Sequence, residues 1–227
     1  MKTLTGVNTL LMTPFSESGA IDVGGIYRQI DRVLEAGVTS VVVQGKIGEY
    51  DTYTMDERRD TARAVVEYVA GRVPVGVGII NAEFDYGLQV GEVARSVGAD
   101  YVMSRPPVEG VISDYFLRLA DIIPVMLYDQ GVRGDLSISD DILPLTEATE
   151  NIIALKISGI PDKNYEAKGL LKTPVLCGWD LMSLLAYQMG ADGVISGSAT
   201  LVPSHEVKLY ELVKDNRWDE ARALYYD

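Results

Sequence analysis

The chain has 227 residues, 47% of them apolar, with a formal net charge of −13, one cysteine and one histidine. That length can bury one large core or two small ones, and the acidic balance argues against nucleic acid as a partner, because neutralising phosphates needs a basic surface. A lone Cys177 leaves no internal disulfide framework, and a single His205 gives a histidine metal site or triad little to work with. The N-terminus lacks a basic-then-apolar leader pattern, and no apolar run approaches the roughly 18 residues of a membrane span. The expected setting is therefore the cytoplasm, with no membrane partner. An anionic ligand would have to be held by local cations against the overall field.

Two periodicities alternate along the chain. Apolar, strand-like runs fall at 9–14, 40–45, 74–80, 99–104, 124–129, 152–158, 174–179 and 192–197, eight in all. Helical spacing separates them, most clearly at 22–36, 54–70 and 86–97. Thr54 followed three residues later by Glu57 reads as a capping box. Gly37, Gly71, Gly98 and Gly190 sit where helices should end. Strands alternating with helices imply parallel pairing through right-handed crossovers. Near-continuous apolar runs such as Ser40-Val-Val-Val43 suit strands buried on both faces. Eight such units predict one closed (β/α)8 TIM barrel, α/β in class, forming a single domain over 1–227. The barrel should occupy about 7–202, with one or two extra C-terminal helices over about 203–226. Segments 81–98, 105–123 and 159–173 leave room for about two to three helical turns each.

One apolar run carries a charge in its middle: Asn151-Ile-Ile-Ala-Leu-Lys156-Ile-Ser-Gly159. A buried, unpaired lysine is costly unless its pKa falls until the amine is neutral. A neutral amine is a nucleophile suited to Schiff-base formation with a ketone or aldehyde. The alternative is a strand that ends early, with the ammonium reaching solvent. Barrel chemistry belongs at the C-terminal strand ends, and four cations (Lys46, Arg105, Arg133 and Lys156) fall there. Strand 7 runs into Gly178-Trp179-Asp180. Alternation with period two puts Ala154, Lys156 and Ser158 on one face, and Met126 and Tyr128 on one face of the preceding strand. If both faces point inward, Tyr128 and Lys156 are neighbours, and a phenol beside an amine can shuttle protons.

An ordered set of motifs carries a resemblance. It comprises Thr13-Pro14-Phe15 on the first strand, Gly45-x-x-Gly48-Glu49 after the second, and Leu127-Tyr128-Asp129 on the fifth. Leu155-Lys156 on the sixth follows 28 residues after the tyrosine, and Gly190-Ala-Asp-Gly-Val-Ile-Ser196 leads into the eighth. Together they resemble the pyruvate-dependent class I aldolase family of dihydrodipicolinate synthase and N-acetylneuraminate lyase. The resemblance implies that Lys156 forms the imine with a 2-oxo acid and Tyr128 transfers protons. The loop of Lys46, Ile47 and Gly48, with Ser158 and Ser196, would line the substrate site. It implies that Arg133 binds the carboxylate of a second substrate and that the Ile195 backbone carbonyl faces the pocket; Arg105, a cation at the end of strand 4, is expected to neutralise a carboxylate as well. No metal or organic cofactor is implied, since the covalent lysine imine is the electron sink. A homo-oligomer, a dimer or tetramer, is implied as well.

The chain also departs from that pattern. Lys46 and Ile47 replace the two threonines of the family's Gly-Thr-Thr-Gly-Glu loop, and Ser104-Arg-Pro-Pro-Val-Glu-Gly110 lacks the aromatics usual after strand 4. Lys46 could pair directly with a carboxylate in place of the lost hydroxyls. These departures motivate a second reading, a degenerate barrel that binds a small carboxylate or phosphate without turnover. A third reading takes the strand-8 turn, Gly193-Val-Ile-Ser-Gly-Ser-Ala199, as a phosphate site. Asp129 and Asp180 are separated by two strands, and no metal site is expected from them.

Overall fold

A computed structural model describes residues 4–130, 136–160 and 162–226. The apolar runs form eight strands: β1 (Gly6–Leu10), β2 (Ser40–Val43), β3 (Val75–Ile79), β4 (Tyr101–Ser104), β5 (Val125–Asp129), β6 (Ile152–Ile157), β7 (Val175–Cys177) and β8 (Gly193–Ser196). Each pairs in parallel with its sequence neighbours, and β1 pairs with β8, so the sheet closes and has no edge. The helices are α1 (Val23–Glu35), α2 (Met55–Val69), α3 (Phe84–Ser96), α4 (Ile112–Ile122), α5 (Leu143–Ala148), α6 (Asp162–Leu170), α7 (Ser183–Gln188), α8 (Ser198–Leu201), α9 (Pro203–Lys214) and α10 (Trp218–Tyr226). This is the (β/α)8 barrel expected, with α9 and α10 as the two C-terminal helices. Among the described residues no helix is long and apolar enough to cross a membrane.

Period-two alternation sorts the core into two shells. Val125, Leu127, Leu155 and Ile157 face outward into the layer between sheet and helices, whereas Met126, Tyr128, Ala154 and Leu176 face the barrel interior. Low in the barrel the Tyr101 hydroxyl meets Ser40 Oγ at 2.7 Å. Its ring takes the space that Gly76 leaves open, since a Cβ there would lie 2.5 Å from a ring carbon. The helix ends follow the sequence signals. Thr54 and Glu57 form a reciprocal capping box on α2, and Gly37, Gly71, Gly98 and Gly190 all take positive φ. α3 starts at Phe84 and runs 13 residues, longer than the two to three turns expected.

The first strand differs from its expected place at 9–14. It starts at Gly6, and Asn8 and Thr9, polar in sequence, are fully buried within it, each with a side-chain hydrogen bond. Asn8 Nδ2 donates to the Val194 carbonyl at 3.0 Å, and the Thr9 and Thr200 hydroxyls lie 2.7 Å apart. Thr13-Pro14-Phe15 consequently lies beyond the strand. Pro14 has no N–H for a ladder, but its carbonyl accepts from Asp22 N at 2.8 Å as the chain turns into α1.

The end of β5 is tied to α6 by a buried ion pair. Asp129, 2% exposed, accepts from Lys163. Removing one partner of such a pair strands the other charge in the interior. Lys163→Met should lower stability by about 3 kcal/mol, seen as a lower urea midpoint with an unchanged m-value. An unchanged midpoint would show that the pair contributes nothing net.

Candidate active site

The β5–β6 ladder pairs Tyr128 directly with Lys156, and both side chains point into the barrel. Lys156 is 2% exposed. Its Nζ lies 4.0 Å from the centroid of the Tyr128 ring and 3.9 Å from Met103 Sδ, a weak acceptor. Among the described residues no carboxylate forms an ion pair with it. Burial, with the Arg105 charge second, lowers its pKa from 10.5 to about 7, while Asp180 and Cys177 act the other way. That direction favours the neutral amine, the form that a nucleophilic role would require.

The Tyr128 hydroxyl donates to Gln130 Oε1. Ser158 Oγ donates to the Gly178 carbonyl at 2.9 Å and sits 3.3 Å from the phenol oxygen. Burial holds the phenol above its usual pKa, opposed by Ser158 and by the Arg105 charge. Gly178, just after β7, gives the lysine its passage. A Cβ there would lie 2.3 Å from Ser158 Oγ and 2.4 Å from Lys156 Cε.

Above these groups opens a cavity of about 400 Å³. Lys156, Tyr128 and Ser158 line it from within the barrel, and Lys46, Ile47, Gln130, Trp179 and Asp180 form its rim. Lys46 opens a short 3₁₀ turn over Lys46–Gly48, and its ammonium is exposed, with no ion pair among the described residues. Asp180 Oδ1 accepts from Ser198 N at 2.7 Å. The N–H at the start of α8, which the phosphate reading would use, is thus already taken by a carboxylate.

Other expected site residues lie elsewhere. Gly48 is packed beneath the loop, where a Cβ would lie 2.8 Å from the Leu11 carbonyl oxygen, and its own carbonyl accepts from Thr13 Oγ1 at 2.7 Å. The Ile195 side chain packs in the barrel interior, with its backbone in β8 as expected. Ser196 is buried, with its hydroxyl 3.1 Å from Ser198 Oγ. Arg105 is buried at the end of β4 against the Tyr128 ring and does not line the cavity. Arg133 lies outside the described residues. Trp179 and Asp180, noted in the sequence as what strand 7 runs into, form part of the rim, whereas Gln130 at the cavity and Asn81 against Arg105 were not singled out. Gln130 could have been found from period two, two residues beyond Tyr128. Asn81, which accepts from Arg105 Nη1 at 2.9 Å, has no such signal.

The model of the dihydrodipicolinate synthetase family matches residues 3–226. The 4-hydroxy-tetrahydrodipicolinate synthase of Methanococcus vannielii is 32% identical over 234 residues, covering 98% of this chain and 80% of the relative. That of Methanopyrus kandleri is 31% identical, covering 99% and 79%. Among solved structures, the dihydrodipicolinate synthase of Aquifex aeolicus superposes with a TM-score of 0.92 at 26% identity, covering 98% of this chain and 80% of that one. A prophage protein of the same family from E. coli K12, solved in complex with pyruvate, gives 0.92 at 26%, covering 99% and 80%. With the barrel, the strand register and these likenesses in agreement, the chain belongs to the dihydrodipicolinate synthetase family and is an enzyme of its aldolase and lyase class.

Proposed function

We propose that this enzyme condenses with a 2-oxo acid through Lys156, and that the resulting imine is the electron sink for making or breaking a carbon–carbon bond. The observation that carries this reading is the buried Lys156 amine, unpaired by any carboxylate among the described residues, opening onto the cavity beside Tyr128. The neutral amine attacks the C2 carbonyl and gives a carbinolamine. Loss of water then needs one proton delivered to the departing oxygen, and the Tyr128 phenol is placed to supply it. Protonated, the imine accepts the electron pair left when a proton leaves C3, and the enamine so formed attacks an electrophilic carbon. The reverse sequence cleaves. Lys46 on the rim neutralises the substrate carboxylate, in place of hydroxyls that Ile47 and Lys46 cannot provide. The imine does the work of an electrophilic cofactor, so neither metal nor organic cofactor takes part in the reading. Support for pyruvate as the first acid to test comes from the E. coli K12 neighbour, which was solved with it.

Borohydride reduction in the presence of pyruvate and a panel of other 2-oxo acids should leave a stable adduct on Lys156, located by mass spectrometry, and Lys156→Ala should abolish it. Absence of an adduct with every acid tried overturns the mechanism. Binding of the acid that survives Lys156→Ala, with no turnover, would favour the non-catalytic reading instead.

Deuterium exchange at C3 of pyruvate, followed by NMR, reports the enamine without any acceptor. Tyr128→Phe should slow it by about a hundredfold or more, while an unchanged rate would remove the phenol from the proton path.

The lowered pKa of Lys156 also predicts a stability signature. In the unfolded chain the amine keeps its proton up to about 10.5, and in the folded chain only to about 7. Between those values the unfolded state binds more protons, so folding stability should rise with pH across that window and be flat below it. Lys156→Met should lack that rise and be the more stable protein at pH 7, as measured by urea unfolding across pH. A wild-type slope identical to the variant's would show the amine to be protonated in the fold.

A further inference from the structure

Arg105 follows β4 and is 6% exposed. Its guanidinium carbon lies 4.8 Å from the Tyr128 ring centroid, and Lys156 Nζ lies 4.0 Å from the same centroid. Nη1 donates to Asn81 Oδ1 at 2.9 Å, Nε is buried without a partner, and among the described residues no carboxylate pairs with it. Asn81 is itself fixed. Its backbone is left-handed, with φ +51, and its Nδ2 donates to the Tyr50 hydroxyl at 2.9 Å. Leaving a guanidinium buried and without a counter-charge is unfavourable, and here that charge faces the two groups of the site that must change protonation.

We propose that Arg105 is a positioning residue, a fixed positive charge in the barrel wall that acts through the shared Tyr128 ring on Lys156 and on the phenol, favouring the free amine and the ionised phenol. Its catalytic meaning rests on the Schiff-base reading of Lys156, but its electrostatic effect does not. Arginine suits the task because it stays charged throughout the range in which lysine and tyrosine titrate.

Among the described residues, Lys156 is faced by Arg105 from the end of β4, Tyr128 on β5, Cys177 on β7, Asp180 beyond β7 and Lys46 across the cavity, while Ser158 just past β6 is neutral. Of these charges Arg105 acts most strongly on the amine, downward, with Asp180 and Cys177 opposing it. On the phenol Arg105 acts downward against Asp129. The two cationic centres lie within roughly 9 Å of each other, a separation at which a like charge in a partly polarisable interior moves a pKa by about one unit.

Competitive labelling with acetic anhydride, read by mass spectrometry at Lys156 across pH, measures the amine's titration without any 2-oxo acid. Relative to wild type, Arg105→Gln should shift the labelling midpoint up by about one pH unit, and Arg105→Lys should recover part of that shift. Asn81→Gly, which keeps the left-handed backbone and removes the acceptor, should give a smaller upward shift and serves if the arginine variants fail to fold. Borohydride trapping with pyruvate on the same proteins should show the same displacement in its pH profile. Labelling profiles of folded Arg105→Gln and Asn81→Gly that superimpose on wild type overturn the inference, whatever trapping shows. Shifted labelling with no adduct in the wild type would uphold the inference and reject the Schiff-base reading.

Discussion

The whole site depends on keeping one amine out of water with nothing of opposite charge to hold. A lysine in that position is tolerated only as the neutral base, or at a cost in folding stability. The barrel gives Lys156 a stem channel bounded by Gly178, a thioether at Met103 that makes little demand for a proton, and the face of the Tyr128 ring. Closure of the sheet supplies the rest. With no edge strand, the paired backbone of β5 and β6 at the level of the amine is committed to the ladder, and the side chains of Tyr128 and Lys156 are presented inward. The chemistry then follows from which side chains alternate inward at that level.

That alternation is why so much of the centre was legible in the chain. Strands buried on both faces read as apolar runs, so eight of them could be counted. Period two together with neighbouring strands was enough to bring Tyr128 and Lys156 to one rung. The first strand was misplaced because Asn8 and Thr9 look polar, and their burial depends on partners more than 180 residues away. At the site, position in a motif did not by itself say what each residue touches: Gly48 packs against Leu11 beneath its loop, and the Ser196 hydroxyl, at the end of β8, turns to Ser198. Asn81 reaches Arg105 only because its own backbone is left-handed, a conformation its residue type permits but does not announce. Arg105, taken as a rim cation, is turned inward instead.

The rim is where this chain parts from its relatives' loop pattern. With Lys46 and Ile47 in place of the two threonines of the family's loop pattern, hydroxyl chemistry withdraws from the strand-2 side, and a hydroxyl that meets the phenol is that of Ser158, just past the end of β6. On the proposed reading, proton traffic and carboxylate binding become separable tasks, one beside Tyr128 and the other at the strand-2 loop. The chain spans about 80% of the length of the curated relatives it matches, and the residues that carry the amine, the phenol and the rim all lie within the shared part.

The open position at Gly178 has a consequence for how such a site can diversify. Any side chain there would collide with both Lys156 and Ser158, so the floor admits one solution and drift at that point is closed. The rim is under no such limit: Lys46, Ile47, Trp179 and Asp180 sit on short turns after β2 and β7, each partly or well exposed. On the proposed reading, substitutions at Ile47 and Trp179 reshape the walls a substrate meets while leaving the charges around Lys156 in place, whereas changes at Lys46 or Asp180 alter the electrostatics of the centre as well. A side chain at position 178 would force Lys156 or Ser158 to move.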